Sequence, residues 1–176
     1  MDFNKLVDDQ RGGFEKLMGK IPGYKGYKQK EQRREADKLL RQKIAADLDQ
    51  QRRRLGELQI ALINAGQILF TDDLERAVTK LQTLMDRIKT ATYGYAGLFD
   101  AVKVKENELD QLYAFDAGLL DGVPAVSAGV DKVSEAIDKG GDIGAAIKAL
   151  VQIMTQFNDL FSKRQEAIQK TGATTL

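Results

Sequence analysis

The chain has 176 residues, of which 43% are hydrophobic and 30% are charged, and its formal net charge is +1. This size and composition are typical of one folded domain, and they exclude a disordered chain or a membranous one. Cys and His are both absent, which excludes disulfides, thiolate catalysis and the imidazole ligands of most zinc and haem sites. The chain contains only two Pro residues, so few positions prevent a helix from forming. We therefore expect a single all-α domain.

The sequence predicts a protein of the cytoplasm. Its first ten residues, MDFNKLVDDQ, contain acids and no apolar core of the length that a secretory signal needs. The most apolar stretch, IALINAGQILF, is shorter than a membrane-spanning helix and contains Asn64 and Gln67. Any contact with a membrane is therefore expected at its surface.

Residues 1–26 predict a helical segment followed by a loop. Apolar residues recur at spacings of three, four and seven on both sides of Gly12 and Gly13, as on one face of a helix. These residues are Phe3, Leu6, Val7, Phe14, Leu17 and Met18. A cluster of Gly and Pro at 19–26 then indicates a loop, and we expect the main helix to begin near Tyr27.

Residues 27–121 predict a long antiparallel helical hairpin. The first arm, 28–66, follows the four-three spacing of a coiled-coil seam, with Gln51 as its one polar interruption. The seam consists of Ile44, Leu48, Leu55, Leu58, Leu62, Ala65 and Leu69. Before Ile44 it would fall on Arg41 and Asp37, so we expect the repeat to fail there.

The second arm is expected at 72–114, with a kink at the glycines of 94–97. It begins at TDDLE, where Thr71 or Asp72 can cap the helix and Glu75 can complete a capping box. Because the two arms have nearly equal length, the antiparallel hairpin places Tyr113 level with Tyr27.

Residues 122–171 predict two C-terminal helices, followed by a tail at 172–176. GVPAV opens the first helix at about 124, Gly140 and Gly141 close it near 139, and Asp142 caps the second, which extends to about Lys170. The expected fold is therefore an all-α, coiled-coil-like antiparallel hairpin with additional helices packed around its base.

Charge is divided unevenly along the chain. Residues 25–54 contain eleven cations and five acids, a net charge of +6, whereas residues 100–142 contain four cations and ten acids, a net charge of −6. Such blocks can neutralise each other within one molecule or between neighbours. The predicted basic face consists of Lys28, Lys30, Arg33, Arg34, Lys38, Arg41, Arg52 and Arg53.

The five tyrosines are predicted to gather at two places. Tyr24, Tyr27 and Tyr113 would lie at the base, where Tyr24 and Tyr27 would cover the end of the core with their hydroxyls in water, as tyrosines often do. Tyr93 and Tyr95 would lie at the kink, where a Tyr- and Gly-lined cavity could accept a small molecule, although the sequence identifies no ligand.

No residue pattern points to catalysis, a cofactor or a metal. GGFEKLMGKI lacks the spacing and hydroxyl of a phosphate-binding loop, and the serines have no His to activate them. The carboxylates of KENELD form an exposed helical pair, while the predicted inward positions are apolar. We therefore do not expect an enzyme, and no small-molecule substrate is evident.

These features favour a non-catalytic interaction or scaffold protein. We expect it to bind a protein partner or itself, forming a homo-oligomer through coiled-coil-like packing and complementary charge blocks. The alternative is a peripheral protein that binds an anionic surface, lipid first and nucleic acid second, through the basic half of the long helix.

Overall fold

The computed structural model describes residues 12–91, 96–101 and 103–171, and this part of the chain is helical apart from its turns and loops. The helices are α1 (Gly13–Lys20), α2 (Lys30–Asn64), α3 (Thr71–Thr90), α4 (Ala96–Asp100), α5 (Glu106–Lys139) and α6 (Ile143–Lys170), and a 3-10 turn at Ile68–Phe70 precedes α3. The all-α prediction is confirmed.

The four longest helices pack as two antiparallel pairs. In the first pair, Gln59 of α2 bonds to Glu75 of α3, and Arg41 Nη1 donates to the carbonyl of Lys89 at 2.8 Å. Residue numbers thus rise along α2 as they fall along α3. In the second pair, Asp116 of α5 bonds to Arg164 of α6 and Gly129 lies against Leu150, so α6 runs back along α5.

The two pairs lie side by side, so that α2 packs on α5 and α3 packs on α6. Tyr27, just before α2, contacts Tyr113 near the start of α5, and Arg54 bonds to Asp131 further along both helices. The helices α2 and α5 are therefore parallel. We call the end of the bundle near Tyr27 the base, and the opposite end, at the α2–α3 turn, the tip.

The predicted second arm of the hairpin is wrong beyond Thr90. The helix α3 ends there, α4 packs across α2 and α6, and a new helix begins at Glu106. Leu98 and Phe99 are buried against the base, and this inward packing replaces a straight continuation of α3. Tyr113 does reach Tyr27, but on a parallel helix rather than an antiparallel one.

The predicted helix start at 124 is also wrong, because α5 continues through Pro124 without a break. A Pro in a helix interior costs about 3 kcal/mol. Burial of one large aliphatic side chain returns about 1.5–3 kcal/mol, and α5 buries many, including Leu119, Val126 and Val130. Pro124 itself faces solvent, where its ring has room.

Other predicted boundaries can be compared directly. Asp142 accepts a hydrogen bond from Ala145 N at 2.8 Å, and Gly140 ends α5 with a φ of 68°, so both are confirmed. The capping box at Asp72 is wrong, since α3 already begins at Thr71. The Thr71 hydroxyl instead donates to the carbonyl of Ile68 at 2.7 Å.

The coiled-coil seam is used inside the bundle. Ile44, Leu48, Leu55 and Leu62 have no exposed surface in the single chain, because α2 turns this face towards its neighbouring helices. The seam ends at Leu62, and Leu69, which was expected to extend it, is 90% exposed. None of the helices in the described ranges combines the length and apolar character that crossing a membrane requires.

Candidate functional site

A buried polar network joins four segments at the base of the bundle. Arg164 of α6 donates from Nε to Asp116 Oδ1 at 2.5 Å and from Nη2 to Asp37 Oδ1 at 2.8 Å. The hydroxyl of Tyr27 donates to Asp116 Oδ2 at 2.5 Å and accepts from Arg164 Nη2 at 3.1 Å. All four residues have 0% exposure, so each charge depends on these partners rather than on water.

Two further arginines extend the network to the backbone. Arg41 donates from Nε to Asp37 Oδ2 at 2.8 Å and from Nη1 to the last carbonyls of α3. Arg33 donates to the carbonyls of Tyr27, Leu98 and Ala101 at 2.7–2.8 Å. These two guanidinium groups therefore fix the ends of α3 and α4 to α2.

Burial has a consistent effect on the proton affinities of the acidic groups here. It raises the pKa of Asp116, although the adjacent charge of Arg164 acts in the opposite direction. It also raises the pKa of Tyr27 and Tyr113 above that of a tyrosine in water. The phenols are therefore held neutral, which suits their role as hydrogen-bonding groups in the core.

The sequence held a signal for this network. Asp37 and Arg41 occupy the same four-three spacing as Ile44 and Leu48, and the structure buries both of them. The expectation that the repeat fails before Ile44 is therefore wrong, because the seam continues with charged residues whose partners come from other helices. Those partners, Asp116 and Arg164, could not be paired with it from spacing alone.

The aromatic cluster is only partly as predicted. Tyr27 stacks on Tyr113 with ring centroids 5.5 Å apart, and Tyr24 meets Tyr27 edge-on at 6.1 Å. The expectation that the hydroxyls of Tyr24 and Tyr27 lie in water is wrong, since both residues are buried and the Tyr27 hydroxyl donates to Asp116. The Tyr113 hydroxyl accepts from Tyr27 N at 2.8 Å. Tyr93 and Tyr95 lie outside the described residues.

Two residues of the predicted basic face are buried in the core. Arg33 and Arg41 are 2% and 6% exposed, because their guanidinium groups bind the carbonyl and carboxylate oxygens described above. Arg52 is partly buried beside Asp49. The exposed members are Lys28, Lys30, Arg34, Lys38 and Arg53.

The two charge blocks meet inside the molecule at a few points. Arg34 pairs with Asp100 at 3.2 Å, and Arg54 pairs with Asp131. Other cations of the basic block pair within α2 itself, as Lys43 does with Asp47 at 2.7 Å. The alignment of α2 with α5 thus satisfies part of the complementarity within one chain.

An apolar surface remains at the tip. Ile60, Ile63, Ile68 and Leu69 are 62%, 58%, 63% and 90% exposed, and all four fall within ten residues of the chain at the α2–α3 turn. Large aliphatic side chains that are clustered and exposed commonly mark an interaction site. The sequence showed this stretch as its most apolar one, but it gave no sign that the side chains face outwards.

Acidic residues surround the apolar tip. The segments level with it, 57–77 and 134–145, contain seven acids and two cations, a net charge of −5. All nine side chains are exposed. They are Glu57, Asp72, Asp73, Glu75, Arg76, Glu135, Asp138, Lys139 and Asp142.

Four surface grooves differ in the charge of their linings. The groove between α2 and α3, with a volume of about 590 Å³, is lined by Lys38, Arg41, Gln42, Ala45, Ala46, Asp49 and Lys89. Lys38 and Lys89 are its two exposed cations, Arg41 is buried and paired with Asp37, and Asp49 is its one acid. In the linings of the other three grooves, acids equal or outnumber cations. Asp49 is itself engaged by Arg52, whose hydrogen bond lowers the pKa of that carboxyl.

No group of three or more Asp or Glu side chains that could hold a metal occurs in the ranges that the structure describes. The chain matches no family model, and no curated protein or solved structure is significantly similar to it. The tip, the α2–α3 groove and the buried network are therefore interpreted from their own geometry.

Proposed function

We propose that this chain is a non-catalytic interaction protein of the cytoplasm that associates with further copies of itself through its apolar tip. The single observation that carries the proposal is the exposure of Ile60, Ile63, Ile68 and Leu69 together at the α2–α3 turn. Removing apolar surface from water provides about 25 cal/mol per Å². Association with a second molecule that covers these side chains would therefore be stabilised by their burial, which the single chain does not provide.

The mode of association differs from the coiled-coil packing expected from the sequence. The seam of α2 is buried within the bundle, so a second chain would have to unfold the bundle in order to reach it. The tip needs no rearrangement, since its aliphatic side chains are already exposed. A rod of packed helices with an exposed apolar surface at one end has a geometry that suits a scaffold.

The buried network favours a structural role over a catalytic one. Its carboxylates and its Tyr27 hydroxyl are engaged with one another and have no exposed surface. A catalytic group must reach a substrate directly or through one water. We therefore propose that the network fixes the relative positions of the helices and, with them, the shape of the rod.

Light scattering across a size-exclusion peak tests the proposal. We expect the molar mass of the wild type to exceed that of one chain and to rise with concentration, and we expect the double variant Ile68→Ser, Leu69→Ser to remain monomeric. Met18→Ser is the matched control, because Met18 is a large exposed apolar residue away from the tip. A wild type that is monomeric at every concentration would contradict the proposal.

Binding of an anionic surface is the second candidate, and it rests on the exposed cations at the start of α2. Lys28, Lys30, Arg34 and Lys38 face solvent there, with Glu31 and Glu35 as the acids among them. This candidate predicts that wild type cosediments with phosphatidylserine vesicles at low salt and that replacing Lys28, Lys30 and Arg34 by Glu abolishes the cosedimentation. Wild type that stays in the supernatant would exclude this candidate.

A further inference from the structure

We infer that the surface which receives the tip is the α2–α3 groove of a second copy, so that the chains join head to tail. This inference rests on the proposed function and specifies its interface. The tip carries a net charge of −5 around its aliphatic side chains, so its receptor should combine apolar surface with an excess of cations.

The α2–α3 groove meets both conditions. Lys38 and Lys89 are exposed in its lining, and Ala46 supplies a small exposed apolar surface, whereas Ala45 is buried. Because alanines leave space where larger side chains would fill it, the groove can admit aliphatic side chains from outside. Its volume of about 590 Å³ leaves room for the side chains of Ile68 and Leu69.

The other three grooves lack the excess of cations that an acidic tip requires. The groove of about 730 Å³ is lined by Lys25 and Lys28 together with Glu15, Glu106 and Asp110, and an acidic tip would meet like charge there. Contact between two tips is disfavoured for the same reason, since it would bring two acidic surfaces together. The charge comparison thus selects one receptor among the candidates.

Head-to-tail contact has a structural consequence. The tip and the groove are different surfaces of one molecule, so the interface is heterologous and each added copy presents a new free tip. Such contacts produce open chains or rings rather than a dimer that closes on itself. We therefore expect the mass of the wild type to rise beyond that of a dimer.

Two variants, mixed, test the inference. The tip variant Ile68→Ser, Leu69→Ser retains its groove, and the groove variant Lys38→Glu, Lys89→Glu retains its tip. We expect each to be monomeric alone and a one-to-one mixture to give a heterodimer of twice the 19.5 kDa chain mass, because only one productive interface can form. Lys80→Glu, Lys148→Glu is the control, since both lysines are exposed outside the groove.

The outcomes separate the two proposals. A groove variant that still self-associates, or a mixture that stays monomeric while the wild type associates, would overturn the docking site and leave the tip as the interface. A wild type that does not associate would overturn both. Wild type that is monomeric but floats with phosphatidylcholine vesicles would assign the tip to lipid, and it too would overturn both.

Discussion

Arg164 is the residue on which the base of the bundle depends most. It joins Asp116, Asp37 and Tyr27 while having no exposed surface. A buried ion pair is not in itself strong evidence for stability, since desolvation offsets much of its attraction. Removing one partner is nevertheless costly, because the others stay buried and charged.

We expect Arg164→Met to lower the free energy of unfolding by about 3–5 kcal/mol at neutral pH. Without the guanidinium, the raised pKa of Asp116 rises further, and the folded state then binds a proton that the unfolded state does not. The free energy of unfolding of the variant should therefore increase as pH falls towards the ordinary carboxyl pKa. The difference in stability between the variant and the wild type then becomes smaller. Urea unfolding at pH 7 and pH 5 measures both effects.

Arg34→Met is the control for this substitution, because Arg34 pairs with Asp100 on the surface. Exposed pairs contribute about 0–1 kcal/mol, so this change should be small and nearly independent of pH. An Arg164 variant that is as stable as the Arg34 variant would show that the network contributes little.

The buried tyrosines predict an alkaline transition. Burial raises the pKa of Tyr24, Tyr27 and Tyr113, so above about pH 10 the unfolded phenols ionise while the folded ones do not. Each group then lowers stability by about 1.4 kcal/mol per pH unit. Spectrophotometric titration should show these three tyrosines ionising only when the helical signal in circular dichroism is lost.

Gly26 is expected to tolerate no side chain. Its φ is +76°, and a methyl group there would lie 2.5 Å from the Tyr113 hydroxyl, so both the backbone and the packing oppose it. Gly26→Ala should lower the midpoint of thermal unfolding. Gly56→Ala, in open space within α2, should raise it slightly, and equal behaviour of the two variants would contradict this reading of the loop.

At the scale of the elements, the all-α class and the boundary between α5 and α6 followed from local patterns. Gly140 and Asp142 act through their own backbone and nearest neighbours, which is why spacing alone identified them. The helix through Pro124 could not be predicted in this way, because the burial that offsets the proline comes from α6. The crossing at α4 depends in the same manner on distant helices.

We expect Pro124→Ala to stabilise α5. The proline faces solvent, so alanine would restore a backbone hydrogen bond without disturbing the contacts with α6. The gain should approach, without exceeding, the difference in helix propensity of about 3 kcal/mol. Differential scanning calorimetry should show a higher midpoint of thermal unfolding. An unchanged or lower midpoint would mean that α5 requires the local helix geometry that proline imposes.

The candidate sites illustrate the same limit. The sequence identified the cations of α2 and the apolar stretch at 60–70, but exposure decides their roles, and exposure is a property of the packed molecule. Arg33 and Arg41 are basic in the sequence and belong to the core, whereas Ile68 and Leu69 are apolar and belong to the surface. Only the packing of the bundle shows which of these residues belong to the core and which to the surface.

At the scale of the whole molecule, the described residues form a rod of packed helices whose base contains a buried network of paired polar groups. Among the described residues, four of the five large apolar side chains that are exposed lie at the tip, and its acidic surroundings favour a basic receptor. Because attraction between the tip and the groove is partly electrostatic, raised salt should weaken association. An interface formed only by apolar contact would not weaken in this way.

The most direct measurement is amide hydrogen exchange on the wild-type protein at a low and a high concentration. Self-association through the tip predicts slower exchange at 63–70 in the concentrated sample, with a second change beside Lys38 and Lys89 where the groove is covered. Exchange that is identical at both concentrations, or that slows only along α5 and α6, would contradict the assignment of the tip as the interface.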